Sequence, residues 1–310
     1  MLLQGGTITI NSSARGGKGI KVGDSNVSGA SGAHLIIGSA TEAGRGPSLT
    51  VATTGSYLAT ESSGGGWGGG PMDEEFIGSC KAVKCMGPID VYGGTIRLST
   101  KSNGAEGLES KSTITVHGGT LESDTYDDAI NAASTITFDG GNVWAHASNN
   151  DAIDSNDGTT GIVINDGVVI ASGANSPEEG FDCDNAAFVL NGGVVIGTGG
   201  SQGGGGSSGG QPTNASQPYV TLSSVSLTSG TYLSLKSSSG SVICSYRIPH
   251  TTSSAQVLMS APQLSSGSNA TIVYGSSSIS NPAVSLWEGA YTTGATLTGG
   301  TSVNVTAKTR

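Results

Sequence analysis

A turn recurs along the chain at a nearly fixed beat. It reads Gly5-Gly6-Thr7, Gly93-Gly94-Thr95, Gly118-Gly119-Thr120, Gly140-Gly141-Asn142, Asp166-Gly167-Val168 and Gly192-Gly193-Val194, the last five spaced 25, 22, 26 and 26 residues apart. A second column keeps the same beat: Lys18-Gly19-Ile20-Lys21, Lys81-Ala82-Val83-Lys84, Glu106-Gly107-Leu108-Glu109, Asp128-Ala129-Ile130-Asn131, Asp151-Ala152-Ile153-Asp154 and Glu179-Gly180-Phe181-Asp182. Its pattern is polar, small, apolar, polar. Short alternating runs lie between the columns, such as Thr113-Ile114-Thr115-Val116 and Thr135-Ile136-Thr137-Phe138. Self-similarity at a period of roughly 20 to 50 residues means a solenoid, a propeller or an array. Three strands of about five residues with tight turns fill such a coil, and no helical period competes. The expected fold is all-β: a parallel β-helix with three strands per coil, coils stacked about 4.8 Å apart.

Composition agrees. Glycine is 52 of 310 residues, but without a G-X-Y period and with only 9 prolines, so a collagen helix is excluded. Charged residues are only 12%, while Val, Ile, Thr and Ser abound, which is strand chemistry rather than that of a disordered chain. No apolar run reaches membrane-spanning length. A net charge of −10 argues against nucleic acid, which needs clustered Lys and Arg. The four cysteines (Cys80, Cys85, Cys183, Cys244) show no metal-ligand spacing and read as free, buried thiols.

The solenoid is expected over residues 1–198, a Gly/Ser-rich linker over 199–218, and a small, mostly antiparallel β domain over 219–310 that packs on the helix. The stretch 23–80 is less regular and carries Trp67 within a glycine run, a sugar-stacking candidate. Arg97, Glu122, Trp144, Ile170 and Ile196 form an outward column whose apolar end needs a cover. The C-terminal domain is the natural one. Met1-Leu2-Leu3-Gln4-Gly5-Gly6 enters the repeat in mid-pattern, which points to a removed export signal.

The acidity is local. Residues 101–184 hold 15 of the 23 acids against two lysines, a charge of −13, whereas the rest of the chain carries +3. Stacking turns the repeat into two spatial columns, Lys18, Lys81, Glu106, Asp128, Asp151, Glu179 and Lys21, Lys84, Glu109, Asn131, Asp154, Asp182. Like charges about 5 Å apart repel by about 3.5 kcal/mol at an effective dielectric near 20. Protonation, bridging water or a cation must offset this. A hard divalent ion with oxygen ligands, Ca²⁺ in particular, tolerates such irregular geometry. The candidate metal ligands are Glu106, Glu109, Asp127, Asp128, Asn131, Asp151, Asp154, Glu179 and Asp182. Asp139, Asp157 and Asp166 read instead as turn residues.

Several strings resemble a known bacterial family. They are Cys80-Lys81-Ala82-Val83-Lys84-Cys85, the segment Ile89 to Thr95, Ala105-Glu106-Gly107-Leu108-Glu109-Ser110-Lys111, Tyr126-Asp127-Asp128-Ala129-Ile130-Asn131-Ala132-Ala133 and Asn150-Asp151-Ala152-Ile153-Asp154. They resemble the carbohydrate-binding domain-containing family, related to pectate-lyase-like β-helices. The resemblance is strong over about 75–200 and weaker at Lys18-Gly19-Ile20-Lys21. It implies a right-handed parallel β-helix, bound calcium, a secreted or cell-surface location and binding of acidic polysaccharide such as polygalacturonate. Ala129 and Ala152 stand where the family usually has Gly.

Three functions follow. In the first, protein-bound calcium bridges to an acidic polysaccharide, with Lys81, Lys84 and Trp67 as candidate sugar contacts. In the second, the protein is a lyase acting by β-elimination, with Ca²⁺ on the uronate and Lys84 as base. In the third, calcium only rigidifies a non-catalytic surface adhesion module. The histidines (His34, His117, His146, His250) are scattered and form no catalytic triad.

Overall fold

The computed structural model describes residues 1–24, 32–57, 78–156, 159–201 and 210–310. Trp67 and Asp157 lie outside these. The chain winds as a parallel β-helix bounded by three sheets. Sheet A has eight parallel strands, from Leu2–Leu3 to Asn214–Ala215, and sheet C has six, from Lys18–Val22 to Phe181–Asp182. Sheet B has nine strands, of which the first seven, Thr7–Ser12 to Val194–Gly199, are parallel.

The repeat explains the winding. Gly94, Gly119, Gly141, Gly167 and Gly193 open the sheet B strands with φ of 100°, 90°, 84°, 98° and 83°. That left-handed backbone suits glycine alone. A Cβ at Gly119 would also sit 2.9 Å from the Gly93 backbone one coil away. Inside, identical positions stack. Ile96, Leu121, Val143, Val169 and Val195 pair in register along sheet B, and Val83, Leu108, Ile130, Ile153 and Phe181 along sheet C. All are buried, and each such side chain contributes about 1.5–3 kcal/mol.

A column of small residues, Cys85, Ser110, Ala132 and Ser155, ends the sheet C strands, with Cys183 following Phe181–Asp182. Ser110 donates to the Gly87 carbonyl and Ser155 to Ser134, while the thiols of Cys85 and Cys183 reach the Pro88 and Ala186 carbonyls. Thiol and hydroxyl thus tie the same turn. All four cysteines are free and buried.

The chain after the solenoid returns to it. Asn214–Ala215, within the Gly/Ser-rich stretch, pairs in parallel with Ala187–Leu190 as the last strand of sheet A. Thr252–Ser260 then pairs antiparallel with Val194–Gly199, and Tyr219–Leu227 with Thr252–Ser260, so sheet B runs on into the C-terminal region. This covers the exposed edge of the last coil. A separate six-stranded antiparallel sheet, including Tyr232–Lys236, Val242–Arg247 and Asn269–Ser276, completes that region. It lies over the outward column of sheet B: Ile170 and Ile196 are fully buried in one cluster with Leu233, Leu235, Tyr246 and Ile272. Trp144 packs against the same cluster and donates from Nε1 to the Tyr246 hydroxyl at 2.9 Å.

Candidate functional site: the carboxylate seam of sheet C

Parallel register stacks the second column as read from the repeat: Lys21 on Lys84, Lys84 on Glu109, Glu109 on Asn131, Asn131 on Asp154 and Asp154 on Asp182. Lys18 stacks on Lys81. Glu106, Asp128 and Glu179 immediately precede the strands, where their carbonyls accept from Ala82, Gly107 and Ala152.

The seam changes sign part-way. Lys81 Nζ lies 2.7 Å from Glu106 Oε1, and the side chains of both are 1% exposed. Glu109 is a hub: its Oε1 is 2.9 Å from Lys84 Nζ and 2.8 Å from Lys111 Nζ, and its Oε2 is 3.9 Å from Lys81 Nζ. Burial acts to raise its carboxyl, but the three ammonium groups together outweigh burial and hold it below the ordinary range. Burial, then the ammonium groups of Lys84 and Lys81, push Lys18 down.

Beyond this junction no cation among the described residues pairs with the seam's acids. Asn131 is the bridge there: its Nδ2 donates to Asp128 Oδ2 at 3.0 Å and to Asp154 Oδ2 at 2.8 Å. Asn150 donates to Asp127 Oδ1 at 2.7 Å and Asn156 to Asp154 Oδ2 at 3.2 Å. The Glu179 N–H donates to Asp151 Oδ1, and the Gly210 N–H to Glu179 Oε2 at 2.8 Å. Asp128 Oδ1 is buried and, among the described residues, accepts no hydrogen bond. Burial pushes the Asp128 carboxyl well above its ordinary range, and Asp154, Asp127, Glu106 and Asp151 push the same way. Asp151 is also well raised, by burial and then by Asp182. Asp154 is pushed up to about 8, by burial and then by Asp182 and Asp184. Burial raises Asp182 and Glu178 too. Asp127, Asp154 and Glu178 are half-buried and Asp184 is exposed, so the buried seam has a reachable rim.

The donor types, though not their present grouping, are those calcium takes. The set consists of carboxylate and amide oxygens, carries a surplus of negative charge and includes an orphaned buried oxygen. Among the described residues no three His, Cys, Asp or Glu side chains are grouped closely enough to enclose an ion. The contacts are pairwise, with Asn131 as the common partner.

The candidate sugar contacts fare differently. Lys81 is fully buried against Glu106 and the Gly104 carbonyl, so its side chain neutralises the seam and offers nothing to an external ligand. Lys84 is half-buried, with its ammonium committed as a donor to Glu109.

Two histidine pairs were not legible in the sequence. His34 Nε2 and His117 Nε2 reach the two oxygens of Asp90 at 2.6 and 3.3 Å. His146 Nδ1 lies 2.7 Å from Asp124 Oδ1 and its Nε2 lies 2.9 Å from His250 Nδ1. Residues 104 positions apart meet here, and only the docking of the C-terminal region brings them together.

The model of the carbohydrate-binding domain-containing protein family matches residues 1–152 and 94–308. The chain belongs to this family. The two matches together take in the β-helix and the C-terminal sheets, so membership covers nearly the whole chain. The family is one of carbohydrate-binding proteins. No curated protein and no solved structure matches the chain. Among the described residues no helix is long and apolar enough to cross a membrane.

Proposed function

We propose that the protein binds an acidic polysaccharide of the polygalacturonate type, with Ca²⁺ held by the sheet C seam as the bridge. One observation carries this reading: Asp128, Asp151, Asp154 and Asp182 line one seam with raised carboxyls and, among the described residues, no opposing cation. Their mutual repulsion makes a bound divalent ion favourable. Asp127, Asp128, Asp151, Asp154 and Asp182 are the carboxylates an ion would draw together, with Asn131 already joining two of them. When bound, the ion reverses the local sign of charge. The half-buried rim of Asp127, Asp154 and Glu178 is where a polymer carboxylate can approach. The same reading places the protein outside the cell, secreted or at the surface, where such polymers occur.

Calorimetry of Ca²⁺ binding to chelator-stripped protein, followed by polygalacturonate titration with and without calcium, tests this. Stoichiometric calcium binding and a chelator-sensitive polymer affinity are expected. No heat with calcium, and no rise in Tm, would remove calcium from the account.

A further inference from the structure

A second site lies on the other side of the solenoid. Where the outward column of sheet B meets the C-terminal region, a cleft of about 450 Å³ opens, the size of a small-ligand site. Two tryptophans line it, Trp144 from the β-helix and Trp287 from the C-terminal region, with Arg97, Glu122, Arg247 and Glu288 among its polar walls.

Each of these groups is held, or left open, in a telling way. Trp144 is fixed at its indole N–H by Tyr246 and stacks on His146 with ring centroids 6.0 Å apart and planes 9° apart. Trp287 and Glu288 are consecutive non-glycine residues with φ of 48° and 54°. Left-handed backbone is strained for such residues and persists where surroundings enforce it, often at ligand sites. Trp287 Nε1 is buried and donates to no acceptor. Arg97 is engaged by Glu122, Nε to Oε2 3.2 Å. Arg247 is exposed, and among the described residues its guanidinium makes no ion pair or hydrogen bond. Two tryptophans beside an exposed guanidinium suit a carboxylated sugar: rings stack on its apolar faces, and a carboxylate takes the guanidinium.

We propose that this cleft binds a short stretch of carboxylated glycan, with Trp144 and Trp287 as platforms and Arg247 as the contact to a uronate carboxylate. It rests on the carbohydrate binding of the family and is independent of the calcium seam. The solenoid and the C-terminal region must both be present to build it, because each contributes one tryptophan.

The test is a titration of the full chain with trigalacturonate, and with a neutral galactose trimer, in excess chelator, read by calorimetry and tryptophan fluorescence. Binding of trigalacturonate at least about 10-fold tighter than the neutral trimer is expected. Trp287→Ala should weaken both ligands at least about 10-fold and remove most of the fluorescence change. Arg247→Gln should weaken only the charged ligand and erase the preference. Arg247 is exposed at the end of Val242–Arg247, whereas Trp287 also packs on Tyr291 and the C-terminal core, so an unchanged Tm is required of each variant and Arg247→Gln carries the test if Trp287→Ala unfolds. No binding in chelator, or wild-type affinity in both variants, overturns the cleft whatever the calcium titration gives. Loss of calcium binding at the seam with chelator-resistant binding intact would instead overturn the bridge and leave the cleft standing.

Discussion

Sheets A and C each build a polar column up the outside of one solenoid, at one coil spacing, and the two columns behave oppositely. At the turns after successive sheet A strands stand Tyr92, His117, Asp139, Asn165, Asn191 and Ser216. Tyr92 stacks on His117 at 4.4 Å, and His117 Nδ1 meets Asp139 Oδ2 at 3.2 Å. Asn165 donates to Asp139, Asn191 to Asn165 and Ser216 to Asn191. The side-chain oxygens of Asp139, Asn165 and Asn191 each meet a partner on a neighbouring coil, so this column closes on itself. The sheet C column is charge-balanced only at its lysine end, where Glu109 faces Lys81, Lys84 and Lys111. Past Glu109 it places acceptor upon acceptor, with Asn131 the one donor side chain between Asp128 and Asp154. A solenoid repeats whatever chemistry its column carries. Alternating donors and acceptors close on themselves, whereas repeated carboxylates create a demand that protons or cations must meet.

The contrast can be broken most severely at the junction of the seam. Glu109→Gln leaves three lysines, one of them fully buried, without their shared carboxylate. We expect a loss of about 3 kcal/mol in urea unfolding at pH 7. Because the lysines hold Glu109 below its ordinary range, this stability is present above about 4.5 and is lost as pH falls through the lowered value. The variant should therefore unfold with a flatter acid limb than the wild type.

The next effect is of opposite sign. Asp154 is raised from 3.8 to about 8, so the native state binds a proton that the unfolded chain has released. Calcium-free protein should lose stability as pH rises across that window. Asp154→Asn should remove part of that slope and stabilise the calcium-free protein at pH 9 by about 2 kcal/mol. Saturating calcium should raise the wild-type Tm and flatten the slope, and should do less for the variant. A pH-independent Tm without calcium would show that the seam carries no such strain.

The smallest effect belongs to the complete column. Asn191→Ala removes one donor and one acceptor at an exposed turn. It should cost about 1 kcal/mol or less, with no dependence on calcium. A calcium-sensitive loss there would erase the distinction between the two sheets.

Much of the solenoid was legible because stacking converts sequence period into spatial register. The glycine turns, the buried Leu108, Ile130 and Ile153 and the order Lys84, Glu109, Asn131, Asp154, Asp182 all follow from aligning the repeats. The burial of Lys81 did not follow. A lysine at an outward column position reads as solvent-facing, and only the packed coil shows it sealed against Glu106. The lysine hub on Glu109 needed Lys111, which lies outside the repeated tetrad. The cleft and the His146–His250 contact were illegible for a stronger reason, since they join residues from two regions that share no repeat.

The sequence by itself determined the β-helix, the inward apolar stacks and the accumulation of charge along sheet C, because each depends on contacts one coil away, at a constant offset in the chain. Only the tertiary structure decided which charges are buried and paired, where sheet B passes into the C-terminal region, and that Trp144 and Trp287 face one cleft. The charge pairs turn on side-chain packing within the coils, while the junction and the cleft join regions with no shared period, such as Ile196 with Met259 and Trp144 with Tyr246, and form when the apolar column of Ile170 and Ile196 is covered.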